Sequence, residues 1–129
     1  MQIHQSAEDY LETILMLSQR MGKVRSIYVV NELGFTKASV SIAMKKLREN
    51  GYIAVDGEGN LTLLEPGLEI AQRIYSRHQL LTHFFVQLGV DEQTAAEDAC
   101  KAEHILSEQT LEKIRESALR NDAAHPQAK

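Results

Sequence analysis

The sequence predicts a mainly α protein with a small β-hairpin wing: an N-terminal winged helix-turn-helix over residues 1–64, then a helical domain over residues 65–129. Three observations predict it. Two short helical patterns flank Gly34, as in a helix-turn-helix. The period then changes from helical to two β-prone runs around Asp56-Gly57-Glu58-Gly59. Beyond Pro66 the helical period returns and holds, punctuated by Gly89 and Ser107.

The first helix is expected from Ser6 to Arg20. Ser6 is an N-cap with Asp9 three residues on, and Tyr10, Leu11, Ile14, Leu15 and Leu17 form an apolar stripe. Met21-Gly22 breaks it. A second helix runs from Ser26 to Leu33, with Ile27, Val30 and Leu33 expected inward and Gly34 as its stop. A third runs from Thr36 or Lys37 to Asn50, burying Val40, Ala43, Met44 and Leu47, with Gly51 closing it. Tyr52–Val55 and Asn60–Leu63 are the strands of the hairpin, whose turn glycines supply positive φ. Glu65-Pro66-Gly67 opens a long helix to about Leu88, with Pro66 in the first turn, where its missing N–H costs little. Two more helices follow, Asp91–Leu106 and Ser107–Leu119, with Asp91 and Ser107 as caps and a small polar tail from Asn121.

No apolar run approaches a membrane span, and the N-terminus lacks the layout of a signal peptide. The single cysteine excludes an intramolecular disulfide framework and fits a reducing cytoplasm, where the chain is expected to act. The net charge of −4 is unevenly spread. Between Lys23 and Arg48 the bases Lys23, Arg25, Lys37, Lys45, Lys46 and Arg48 face one acid, Glu32, whereas acids outnumber bases from Glu65 onward. A basic face is what phosphate binding requires, so the net charge does not exclude DNA.

The third helix has the chemistry of a recognition helix. Lys37, Ala38, Ser39, Ser41 and Ile42 face outward from its start, and small hydroxyl and methyl groups let a helix sit deep in a major groove. Lys45, Lys46 and Arg48 suit the flanking phosphates, which fix register without reading sequence. Asp56 and Glu58 at the wing tip would repel phosphate, which argues against strong backbone contacts there. A single recognition helix with few base donors implies a two-fold homodimer on a pseudo-palindromic operator. Ile105, Leu106, Leu111, Ile114 and Ala118 offer a dimer surface, unless they pack on the long helix.

Metal donors flank this region. Asp9 and Glu12 form an i, i+3 carboxylate pair, and Cys100, Glu103 and His104 at i, i+3 and i+4 are expected on one helical face. With His78 they supply six thiolate, carboxylate and imidazole donors suited to a divalent transition metal. Glu97 is a further second-layer acid, His83 points to another face, and His4 and His125 fall in the tails.

The order of these features resembles the diphtheria toxin repressor family of iron- and manganese-dependent transcriptional repressors. Glu8-Asp9-Tyr10-Leu11-Glu12, the winged helix, Arg77-His78-Gln79-Leu80-Leu81 and Cys100-Lys-Ala-Glu-His-Ile-Leu-Ser107 carry the resemblance, across roughly Ser6 to Ile114. The length is similar to the short, two-domain manganese transport regulator branch. The resemblance implies a helical metal-binding and dimerisation domain and a metal set of Asp9, Glu12, His78, Glu103 and His104, with Cys100 where the manganese branch carries a bridging Glu. The iron branch has a Cys there but a Met in place of Asp9, and the further acid and His that its ancillary site needs are missing from this chain near Thr82 and Ala96. The chain is a hybrid of the two.

The expected function is a metal-dependent DNA-binding repressor of manganese or iron homeostasis genes, not an enzyme. It would use Mn²⁺ or Fe²⁺, with Co²⁺ and Zn²⁺ as substitutes in vitro. Two alternatives stand beside it: a small metalloenzyme with a Cys/His/Glu site, and a winged-helix regulator responding to an organic effector or to oxidation of Cys100.

Overall fold

The computed structural model describes residues 5–124. Its elements are α1 (Gln5–Met21), β1 (Val24–Arg25), α2 (Ser26–Leu33), α3 (Lys37–Glu49), β2 (Ile53–Val55), β3 (Asn60–Leu63), α4 (Glu65–Gln87), α5 (Glu92–Ala102) and α6 (Glu108–Ala124). The chain divides into two compact units, Met1–Arg73 and Ile74–Lys129, so the boundary falls inside α4. No helix among the described residues is long and apolar enough to cross a membrane.

The first unit is a winged helix-turn-helix. Tyr10, Leu11, Ile14, Leu15 and Leu17 of α1 are all buried, as the stripe required. They share a core with Val24, Val29, Val40, Met44, Leu47, Ile53 and Leu61. Each fully buried aliphatic side chain here is worth about 1.5–3 kcal/mol. The helix-turn-helix bends at Gly34, whose φ of 72° is open to glycine at no steric cost. The end of α3 is a Schellman motif: Gly51 at φ 80° lets Tyr52 N–H reach the Leu47 carbonyl (2.9 Å) and Gly51 N–H the Arg48 carbonyl (3.1 Å).

Two expectations change in this unit. The wing is a three-stranded antiparallel sheet in the order β1-β3-β2, because Val24 and Arg25 pair with Leu61 and Asn60. A two-residue strand has no readable period; it exists because β3 offers an edge. The buried residue of α2 is Val29, with Ile27 39% exposed. An eight-residue helix in which five side chains are aliphatic or aromatic on several faces does not fix its own orientation. At the start of α4, Gly67 lies against the chain end of α3's turn: a Cβ there would stand 2.2 Å from the Tyr52 carbonyl oxygen. That oxygen accepts from Leu64 N–H (3.0 Å), so the close approach is built into the hairpin's exit.

In the second unit Leu81, Ala99 and Leu111 form a buried core, with Leu80, Phe85, Ala102, Leu106 and Ile114 packed against it. Asp91 caps α5 by accepting from Thr94 N–H (3.1 Å), and Ser107 Oγ accepts from Thr110 N–H (3.2 Å) at the start of α6. Of the expected dimer stripe, Leu111 and Ala118 are consumed inside the unit, while Ile105 is 75% exposed. The helix after Asp91 stops at Ala102 rather than Leu106, and α6 stays helical to Ala124, past the expected tail at Asn121. His4 and His125 lie outside the described residues.

Candidate metal centre and nucleic-acid interface

The recognition helix α3 presents Lys37, Ala38, Ser39, Ser41, Ile42, Lys45, Lys46 and Arg48 to solvent. Its start is fixed by Thr36, whose Oγ1 accepts from Ser39 N–H (3.1 Å) and donates to Ser39 Oγ (2.9 Å). Ser39 keeps its own hydroxyl proton for an acceptor. Lys46 and Arg48 sit in the last turn, where cations complement the helix dipole.

The acids at the wing tip have a local role. Asp56 Oδ1 accepts from the N–H groups of Glu58 and Asn60 (both 2.9 Å), and Oδ2 from the Asn60 side chain (3.0 Å). The Asn60 backbone bond, then its side-chain bond, hold the Asp56 carboxyl below its usual range; burial opposes them, and Glu58 N–H and nearby Lys23 add smaller lowering effects. The Arg25 guanidinium donates to the Glu58 carbonyl and covers Gly59. One of the two tip carboxylates is therefore spent on shaping the turn, and its charge is offset by adjacent bases.

The expected metal donors fall in both units. In the first, Asp9 and Glu12 lie one turn apart on α1 and offer carboxylate oxygens within 4.8 Å of each other. Glu12 is only 5% exposed. Burial, and then the charge of Asp9, push the Tyr10 hydroxyl pKa up.

In the second unit one carboxylate touches two histidines. Glu103 is fully buried; its Oε2 lies 3.0 Å from His78 Nδ1 and its Oε1 3.4 Å from His104 Nε2. The His104 side chain is 2% exposed. The buried carboxylate thus lies between two imidazoles, and imidazole with carboxylate is a donor set that suits first-row divalent metals. The residues present fit such an ion.

The helical face expected for Cys100, Glu103 and His104 does not form as a unit. Glu103 is the C-cap of α5, its N–H bonded to the Ala99 carbonyl (2.9 Å), and His104 lies in the turn beyond. Cys100 remains on α5 and is exposed. Nothing in Lys-Ala-Glu-His-Ile-Leu forbids a helix, so the stop was not legible there; the signal was Ser107 capping the next helix so soon. Sequence reasoning also passed over Arg77. It donates to the Glu103 backbone carbonyl (3.2 Å) and pairs with Glu108. Its position beside His78 was the available clue.

Comparison with known proteins agrees with both halves. Residues 2–61 match the N-terminal DNA-binding domain of the iron-dependent repressors. Residues 64–126 match their metal-binding and dimerisation domain. An uncharacterised HTH-type transcriptional regulator of Methanocaldococcus jannaschii is 37% identical over 113 residues, covering 86% of this chain and 90% of that protein. The HTH-type transcriptional regulator MntR of Bacillus subtilis is 33% identical over 109 residues, 84% of this chain and 77% of that protein. A manganese-dependent transcriptional repressor solved in complex with manganese superposes with a TM-score of 0.78 at 28% identity, over 87% of this chain. The chain spans about half, 52%, of that solved protein's length. This chain belongs to the iron-dependent, or diphtheria toxin, repressor family of transcriptional regulators, in its manganese-regulator branch.

Proposed function

We propose that this protein is a cytoplasmic, homodimeric repressor of manganese or iron homeostasis genes that binds a pseudo-palindromic operator when loaded with a divalent transition metal. Residues 1–64 serve as its DNA-binding domain and residues 65–129 as its metal-binding and dimerisation domain. Lys37, Ala38, Ser39 and Ser41 enter the major groove, and Lys45 and Lys46 neutralise flanking phosphates. Ile105 and Leu119, 75% and 62% exposed, offer apolar area to a second copy.

The observation that carries the reading is the buried Glu103 carboxylate, with an imidazole nitrogen at 3.0 Å and another at 3.4 Å. In the proposed metal set Asp9 and Glu12 join His78, Glu103 and His104, with the exposed Cys100 thiol as the sixth donor. The ion, Mn²⁺ or Fe²⁺ in the cell, supplies the positive charge these carboxylates need to share one place. Asp9 and Glu12 belong to the helix that underlies the DNA-binding core, so metal selects one arrangement of that core relative to the remaining donors.

The test is fluorescence anisotropy of the chain's own promoter DNA with Mn²⁺, Fe²⁺, Co²⁺ or Zn²⁺, against a chelator at matched salt. Tight binding is expected only with metal. Equal affinity in chelator would overturn the proposal.

A further inference from the structure

The turn that carries Glu103 and His104 is held from outside the ligand set. Because α5 ends at Ala102, carbonyls at its end have no helical partner. Arg77 Nη1 donates to one of them, the Glu103 carbonyl, at 3.2 Å. Its Nη2 pairs with the carboxylate of Glu108 in the first turn of α6. One guanidinium thus grips both ends of the segment that links the two helices. The Arg77 side chain is 15% exposed, so the contact to the carbonyl is made largely out of water. The next residue along α4, His78, reaches the carboxylate of the same Glu103 at 3.0 Å. Two consecutive residues of one helix therefore hold Glu103 by its main chain and by its side chain.

Glu103 N–H keeps its helical bond to the Ala99 carbonyl, but its own carbonyl and the turn beyond it lie past the end of α5, and a loosely held ligand weakens a metal site. We propose that Arg77 is a positioning residue of the metal centre, holding the 103–108 segment so that Glu103 and His104 already face His78 before the cation arrives. The proposal rests on the metal reading above. Arginine is suited to the task because its planar fork serves two acceptors at once, which a lysine ammonium on a flexible stem does not reproduce. The negative end of the α5 dipole lies at the same carbonyl and favours a cation there.

The experiment is a Co²⁺ titration of the full chain, read by its d–d absorption and by competition with a chromophoric chelator. Wild type is compared with Arg77→Ala, Arg77→Lys and Glu108→Gln, and amide hydrogen exchange is followed without metal. Outer-shell partners typically contribute 10–100-fold to metal affinity. Arg77→Ala is expected to lose about that much, to alter the d–d band and to speed exchange at residues 103–107 while the α1–α3 core stays protected. Arg77→Lys should recover only part of the affinity. Glu108→Gln, at a side chain 80% exposed, should cost about two- to fivefold, less at high salt. Failure of the wild type to bind Co²⁺ would sink the metal reading itself. Wild-type affinity and spectrum in Arg77→Ala would overturn the role of Arg77 alone, and wild-type affinity in Arg77→Lys would overturn the two-acceptor clamp. Should Arg77→Ala not fold, Glu108→Gln decides: unchanged affinity at low salt overturns the proposal.

Discussion

Replacing Glu103 by glutamine separates the needs of the fold from the needs of the metal. The side chain keeps its shape, loses its charge and stays fully buried. In the metal-free protein two effects oppose. A buried carboxylate costs several kcal/mol of desolvation, which the amide avoids. Bonds to a charged acceptor, about 1.5–3 kcal/mol each, fall to about 0.5–1.5 kcal/mol for a neutral one. The 3.0 Å contact to His78 is a strong bond at stake, whereas the 3.4 Å contact to His104 is longer than a good hydrogen bond. The two effects oppose, so metal-free stability in urea should not fall by more than about 1–2 kcal/mol. The loaded protein differs, because a buried cation loses a charged partner, worth about 3–5 kcal/mol. At about 1.4 kcal/mol per decade, metal affinity should fall by roughly two to three orders of magnitude. Urea melts without metal and chelator competition with Co²⁺ and Mn²⁺ measure the two quantities. A protein that unfolds without metal yet, where folded, binds within tenfold of wild type would make Glu103 a structural hydrogen-bonding residue instead.

Three further outcomes follow from other parts of the chain. Lys46→Ala should weaken binding to every DNA sequence and reduce the slope of log K against log salt by about one, since one phosphate contact is lost; an unchanged slope with altered base preference would reverse the roles given to Lys46 and Ser39. Asp56, held below the usual carboxyl range chiefly by Asn60 N–H, has a lower pKa folded than unfolded. Its contribution to the wing is therefore complete above the unfolded value and lost as pH falls through the folded one. An NMR titration of its side-chain carbonyl should have a midpoint below 3.8, and a midpoint at or above that value would contradict the turn geometry. Cys100→Glu should shift metal-activated DNA binding toward Mn²⁺ relative to Co²⁺, because a hard oxygen replaces a soft thiolate; superimposable Mn²⁺ and Co²⁺ curves for the two proteins would remove Cys100 from the ligand set.

Elements with a strong period or a complete cap were legible in the sequence. The α1 stripe is buried residue for residue, and the ends of α3 follow from Thr36 and Gly51. What stayed hidden depends on partners far along the chain. Val24 and Arg25 are a strand only because β3 is beside them, and Val29 rather than Val30 faces inward because α2 packs on α1 and α3. The need for Gly67 is a tertiary fact as well, since only the approach of Tyr52 excludes a side chain there. The donors were visible as residue types, but the end of α5 at Ala102 and the exposure of Cys100 were not. The cap that Ser107 makes for α6 was the one local sign of that end.

In the proposed ligand set the donors differ in what they can do. A metal shifts an equilibrium only by the difference in its affinity for the two states. His78, Glu103 and His104 lie in one compact unit, so they bind an ion comparably whether or not the DNA-binding unit is correctly placed. They contribute affinity and little switching. Asp9 and Glu12 lie in the other unit, and only their bonds to the ion depend on the arrangement of the two. The coupling between metal and DNA must reside largely in those two carboxylates. Asp9→Asn should therefore lower metal affinity less than Glu103→Gln does, yet erase most of the DNA response at saturating metal. A typical coupling of about 1–3 kcal/mol, or 5–150-fold, would shrink to a few-fold. Linkage supplies an independent check, since operator DNA should tighten Co²⁺ binding by the same factor in wild type and hardly at all in the variant. If Asp9→Asn at saturating Co²⁺ still binds operator as tightly as wild type, the switch lies elsewhere and the carboxylates of α1 only add to affinity.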